Sequence, residues 1–155
     1  MAFIQPCFIR KNSPELRKKL EELGYEPSYP IFQYPEVFKH IAACNFFGSK
    51  YYGVSDDEVS HHGEIKDAIK NRGMIDCGTN EDLFLALAAL QDDTNENQWF
   101  IAQRTMWDEN YNGEITVYYE EGEWLLWDYY SFMEDMPSDF RKATVEEIIT
   151  HFNHQ

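Results

Sequence analysis

The sequence predicts an α+β fold, with a single antiparallel or mixed sheet, three or four helices packed on it, and one globular domain over residues 1–155. Three observations predict it. Four segments place apolar residues at helical spacing beside start or stop signals. Between them lie short runs rich in Tyr, Phe and Trp, punctuated by Gly and Pro, which is strand-and-turn chemistry. A chain of 155 residues, 43% hydrophobic, also has enough apolar surface to build a core without staples.

The elements follow in order. Phe3 to Ile9 reads as a strand. In NSPELRKKLEELGY, Ser13 is placed to cap a helix, Pro14 sits at its first position, and Glu15 suits the positive end of the helix dipole. Leu16, Leu20 and Leu23 form one face, and Gly24 is placed to stop the helix. Pro27, Pro30 and Pro35 forbid a helix next. Phe38 to Phe46 and Lys50 to Val54 read as strands around a Gly48-Ser49 turn. A short helix over 63–72 buries Ile65, Ala68 and Ile69, and Gly73 ends it. Met74 to Cys77 is a strand, Gly78 a turn, and Thr79 the expected cap, with Asp82 three residues on. The helix over 80–91 is apolar nearly all round, as buried helices are. Its Leu83, Leu87 and Leu90 share a face, so it is the expected core element. Trp99 to Arg104 and Glu114 to Tyr119 are expected to form one hairpin, closed near Asn112-Gly113. Glu123 to Tyr129 is expected to form a second after Glu121-Gly122. In KATVEEIITHF, Thr144 and Glu147 spell a capping box, and Val145, Ile148, Ile149 and Phe152 form the apolar face.

Charge divides the chain. Residues 1–75 balance ten Lys/Arg against ten Asp/Glu, whereas residues 76–155 hold three against eighteen, which accounts for the whole net charge of −15. From Thr105 to Phe140 there are ten acids, ten aromatics and no basic residue. Direct nucleic-acid binding needs the opposite sign, so it is not expected. No apolar run approaches the ~20 residues of a membrane span, and the N-terminus lacks the basic region of a signal peptide. Cys7, Cys44 and Cys77 are odd in number and irregular in spacing, and read as reduced thiols of a cytoplasmic protein.

Three pieces, NSPELRKKLEELGY, IDCGTNEDLFLALAALQDDTNENQWF and KATVEEIITHF, occur here in this order. Together they resemble a family of small uncharacterised proteins of gut Bacteroidales and their phages or prophages. They cover about a third of the chain. Residues 25–73 and 101–140 carry no resemblance. What the resemblance implies is provenance and compartment, and no activity.

Each group with chemical potential has a plainer reading beside it. Cys77 precedes a helix start, which can activate a thiol, but Asp76 beside it opposes thiolate formation, and a small residue closing a strand is the simpler role. His61-His62-Gly63-Glu64 offers metal-type ligands, and His61, like Cys77, is a catalytic candidate only if a pocket gathers carboxylates around it. Adjacent histidines point to different sides of a regular element, and the further Cys/His spacing of zinc sites is missing. Asp108, Asn110 and Asn112 occupy positions 1, 3 and 5 of a calcium loop with Gly113 at 6. Position 12 is Tyr119 rather than the bidentate Glu, so a hairpin turn is the expected structure. The Asp92-to-Asn97 run offers oxygens for a cation, but reads more simply as the polar exit from the buried helix. No phosphate loop, Ser/His/Asp signature or dinucleotide fingerprint is present, and no cofactor is expected.

The expected function is a non-enzymatic protein-interaction module of phage or mobile-element origin. Its acidic, aromatic surface would meet a protein with a basic surface, such as a host protein that handles nucleic acid. Glu120, Glu121, Glu123, Trp124, Trp127 and Tyr129 are the expected binding residues. Trp124 and Trp127 stand three apart, so strand alternation places them on opposite faces, and at least one is expected outside, at an edge, or covered by a partner. The alternatives are a small hydrolase or transferase with a pocket hidden from the sequence, or a weak calcium-binding module.

Overall fold

The computed structural model describes residues 3–45, 48–60, 64–127 and 139–153. Within them the chain runs β1 (Cys7–Ile9), α1 (Pro14–Leu23), β2 (Glu26–Pro27), β3 (His40–Cys44), β4 (Lys50–Val54), α2 (Asp56–Ser60), α3 (Glu64–Asn71) and β5 (Ile75–Asp76). It continues through α4 (Glu81–Ala88), β6 (Trp99–Ala102), β7 (Met106–Glu109), β8 (Ile115–Tyr119), β9 (Trp124–Leu126), β10 (Phe140–Lys142) and α5 (Val145–Asn153).

The local signals at α1 and α5 operate as chemistry requires. Ser13 accepts a hydrogen bond from the Leu16 N–H at 3.1 Å, and Leu16 and Leu20 are fully buried. At α5 the Thr144 hydroxyl accepts from the Glu147 N–H at 3.2 Å, while the Glu147 carboxylate accepts from the Thr144 N–H at 3.0 Å. At α4 the cap lies one residue later than expected. Asn80, not Thr79, accepts from the Leu83 N–H at 3.0 Å, and its amide donates to the Phe152 carbonyl at 3.1 Å, which ties α4 to α5. The Asn80 amide accepts through its oxygen and donates through its nitrogen, so one side chain serves both helices.

A five-stranded sheet, ordered β2-β4-β3-β1-β5, forms the first half. β1 and β4 run antiparallel to β3, while β5 joins β1 in parallel. Strand alternation gives the sheet two apolar faces. Cys7, Ile9, Ile41, Ala43 and Tyr51 face the main core, with Leu16 and Leu20 of α1, Leu83 and Leu87 of α4, and Ile148 and Phe152 of α5. Phe8, Ala42, Cys44 and Val54 face outward and are covered by Ile65 and Ala68 of α3. α4 therefore sits among three neighbours, which is why it is apolar on nearly every side. Its C-terminal end is closed by Gln98, a buried side chain that donates to the Ala89 carbonyl at 2.7 Å and accepts from the Gln91 N–H at 3.0 Å.

The expected single sheet is not what forms. The described residues hold five helices and ten strands in three separate sheets, of five, three and two strands. β6 pairs with β9 and β10, not with the 114–119 segment. β8 pairs instead with β7, a strand the sequence reading passed over. Both expected hairpins are thereby replaced. The reason is burial. β6 is apolar on both sides, and its partners must be too: Ile101 lies opposite Trp124 on the core side, while Phe100 lies opposite Leu125 on the other. β8 alternates Ile115, Val117 and Tyr119 with Thr116 and Tyr118, so it matches an apolar set on one face only. A register shift between Met106 and Trp107 marks an irregularity at the base of this pair. The expected strand at Phe3 to Ile9 shortens to β1, with Phe3 making only an isolated bridge to Gln91.

Candidate interaction surface

The β7–β8 hairpin presents most of its residues to solvent. Cross-strand partners share a face, so Trp107 with Val117 and Glu109 with Ile115 lie together, while Asp108 and Thr116 share the other side. Trp107 is 57% exposed, Ile115 63% and Val117 49%. At the base of the same face, Tyr119 packs edge-on against Phe140, with ring centroids 5.1 Å apart. The exposed apolar stripe thus continues the apolar cluster on the outer side of the three-stranded sheet. Tyr118 lies exposed on the opposite face, and Tyr111 at the tip is almost wholly in solvent. Among the described residues neither β7 nor β8 pairs with a further strand, so both edges offer backbone groups.

The tip is built by Asn110. Its side-chain oxygen accepts from the N–H groups of Asn112 at 2.9 Å and Glu114 at 3.0 Å. Gly113 turns with φ +81°, a conformation that costs most other residues energy. Asn110 is therefore committed to the turn, and the Asp108 carboxylate accepts from its neighbour's N–H. No group of three or more His, Cys, Asp or Glu among the described residues is arranged to hold a metal ion. The acids Glu120, Glu121 and Glu123 lie exposed on the turn into β9, with Val117 and Tyr118 beside them. The Glu123 carboxylate also accepts from the Glu120 N–H at 2.9 Å, which fixes the turn.

The other sequence-selected residues lie elsewhere. Trp124 and Trp127 do point to opposite faces, yet neither is left bare, because this sheet has an apolar cluster on each side. Trp127 is buried with Phe100 and Phe140. Trp124 packs against the main core and stacks on His151, rings 3.9 Å apart and 15° from parallel. Trp124 is half-buried on the edge strand β9, and the exposed aromatics of residues 105–127 are Trp107, Tyr111 and Tyr118. A signal for them existed, namely apolar residues on both sides of the Asn-Gly turn. Tyr129 and His61 lie outside the described residues.

Cys77 is buried, and burial first, then the Asp76 charge, pushes its thiol up to about 12. It is a neutral thiol at physiological pH. Two apolar pockets accompany the fold. One, of about 310 Å³, lies between α1, α4 and β6; the other, of about 380 Å³, lies under α3; Cys77 lines neither. One pair went unnoticed in the sequence. His40 Nε2 lies 2.7 Å from Asp56, and Lys39 approaches the same carboxylate at 3.1 Å. Bonds from His40 and then Lys39 hold Asp56 below the usual carboxylate range.

No family model, curated protein or solved structure matches this chain. No helix among the described residues is long and apolar enough to cross a membrane.

Proposed function

We propose that the protein is a non-enzymatic interaction module that docks a basic protein partner on the β7–β8 hairpin. The observation that carries this reading is the exposed apolar stripe of Trp107, Ile115 and Val117 on a two-stranded sheet that stands apart from the other strands. Two strands alone are marginal in water, and a covering partner stabilises them. Charge sets the kind of partner. Residues 105–123 contain six acids and no Lys, Arg or His, in a chain of net charge −15. A second copy is repelled, and a basic protein is attracted and steered. Proteins that handle nucleic acid in a cytoplasm carry such surfaces, and the resemblance to Bacteroidales and phage proteins supports a mobile-element origin.

The test is affinity capture from a Bacteroidales lysate, with the captured protein then purified and its association rate followed as salt rises. Wild type, Trp107→Ala, and the triple change Glu120→Gln, Glu121→Gln, Glu123→Gln are compared. The proposal expects one basic partner, lost or weakened about tenfold or more by Trp107→Ala, with association that slows as salt rises and loses much of that dependence in the triple variant. Capture that is absent, or unchanged in both variants, removes it.

A further inference from the structure

The backbone of the β7–β8 hairpin determines how a partner can join it. In an antiparallel ladder, opposed residues alternate between pairs that bond to each other and pairs whose N–H and C=O groups point outward. The Asn110 N–H donates to the Glu114 carbonyl at 3.0 Å, so that pair bonds inward. Counting along the register, Asp108 with Thr116 bonds inward too. Glu109 with Ile115, and Trp107 with Val117, turn their backbone groups to the two edges. The outward groups of β8 thus belong to Ile115 and Val117, two members of the exposed apolar stripe.

The two edges are not equal. On β7, the Glu109 N–H already donates to the Asp108 carboxylate at 3.0 Å. On β8, nothing among the described residues meets the N–H of Ile115 or Val117. From Ile115 to Tyr119 this strand also has no charge and no proline, two devices that commonly blunt a free edge. A hollow of about 460 Å³ opens where β8 ends, lined by Val117, Tyr118, Glu120, Glu121 and Glu123. Three carboxylates beside an exposed phenol ring suit the cation of a Lys or Arg side chain.

We propose that the partner adds an extended segment as a third strand on the free edge of β8, with apolar residues beside Ile115 and Val117 alternating with Lys or Arg, one of which enters the hollow at Glu120 to Glu123. This rests on the hairpin being the docking site. Main-chain bonds to Ile115 and Val117 supply affinity, and the alternation supplies specificity. A third strand also relieves the marginal stability of a two-stranded sheet. A second copy of the chain fits poorly, since it brings the same acids to the same edge.

The experiment titrates the full chain with a capped octapeptide alternating Val and Lys, and with its block isomer of four Lys followed by four Val. Both carry the same charge, so plain electrostatic attraction binds them equally. The alternating peptide gives a saturable signal, and the block isomer binds about tenfold or more weakly. Val117→Pro removes an outward N–H and no ladder bond. It weakens the alternating peptide about tenfold or more relative to Val117→Ala, which keeps the N–H. Should the proline variant not fold, residue-resolved hydrogen exchange on the wild type decides: the peptide slows the Ile115 and Val117 amides most. Equal binding of the two peptides, or protection of the Trp107 amide in place of those two, overturns the proposal. So does protection of Ile115 and Val117 that rises with protein concentration in the absence of peptide, the mark of a second copy. Capture of a basic partner that Trp107→Ala abolishes and Val117→Pro leaves intact would keep the docking site and overturn strand addition.

Discussion

Glu147 does two jobs with one carboxylate. It closes the capping box of α5, and it accepts two hydrogen bonds from Arg141, each 2.7 Å long. Arg141 first, then the Thr144 N–H, hold its pKa at about 2, against an ordinary value of 4.5. A depressed acid contributes stability that is complete above 4.5 and vanishes as pH falls towards 2. Glu147→Gln should therefore lower the unfolding midpoint most above that window, with the gap from wild type closing as the pH approaches 2. A gap that stays constant through acid would show that the ion pair adds nothing in water. Leu87 tests packing at the same scale. It is fully buried among α1, α5 and the sheet. Leu87→Ala should cost roughly 2–5 kcal/mol in a urea titration.

At the scale of elements, the helices were largely legible and the strand pairing was not. Ser13-Pro14 and Thr144 with Glu147 act through groups within four residues of each other, so sequence carries them. α4 was legible as a buried helix, but its cap depended on Phe152, seventy-two residues away. Asn80→Ala should cost about 1 kcal/mol in a denaturant titration, while Thr79→Ala stays within about 0.5 kcal/mol. The opposite order would return the cap to Thr79. Pairing is non-local in the same way. The stretch from 99 to 126 contains two good turns, Asn112-Gly113 and Glu121-Gly122, and each looks like the apex of a hairpin. Only the first is, because β9 must bury Trp124 and Leu125 on opposite sides, and only β6 offers matching apolar faces. Helix α2 also escaped notice, since Asp56-Asp57-Glu58 carries little apolar signal. The charge of the 105–123 segment is legible in the sequence, whereas which aromatics lie exposed is not, because burial of Trp124 and Trp127 follows from the β6–β9 pairing. β7 and β8 pack little of their surface, so their amides should exchange with solvent hydrogen faster than those of β3 and β4. Equal protection would mean the hairpin is held more firmly than its exposure implies.

Over the whole molecule, the charge asymmetry of the sequence separates along the chain's architecture. The five-stranded sheet and α1 to α3 come from the neutral half, and the three-stranded sheet, the hairpin and α5 from the acidic half. One apolar cluster, from Phe3 to Phe152, joins them. The molecule therefore presents a near-neutral end holding the pocket under α3 and an acidic end holding the hairpin. The central claim is that the acidic end does the binding. Its most direct test is hydrogen exchange of the full chain with and without the captured basic partner. The account predicts slowed exchange at Met106–Glu109 and Ile115–Tyr119 in the complex, with β3 and β4 unchanged. Slowed exchange confined to the five-stranded sheet or to the pocket under α3, with the hairpin unaffected, would contradict it.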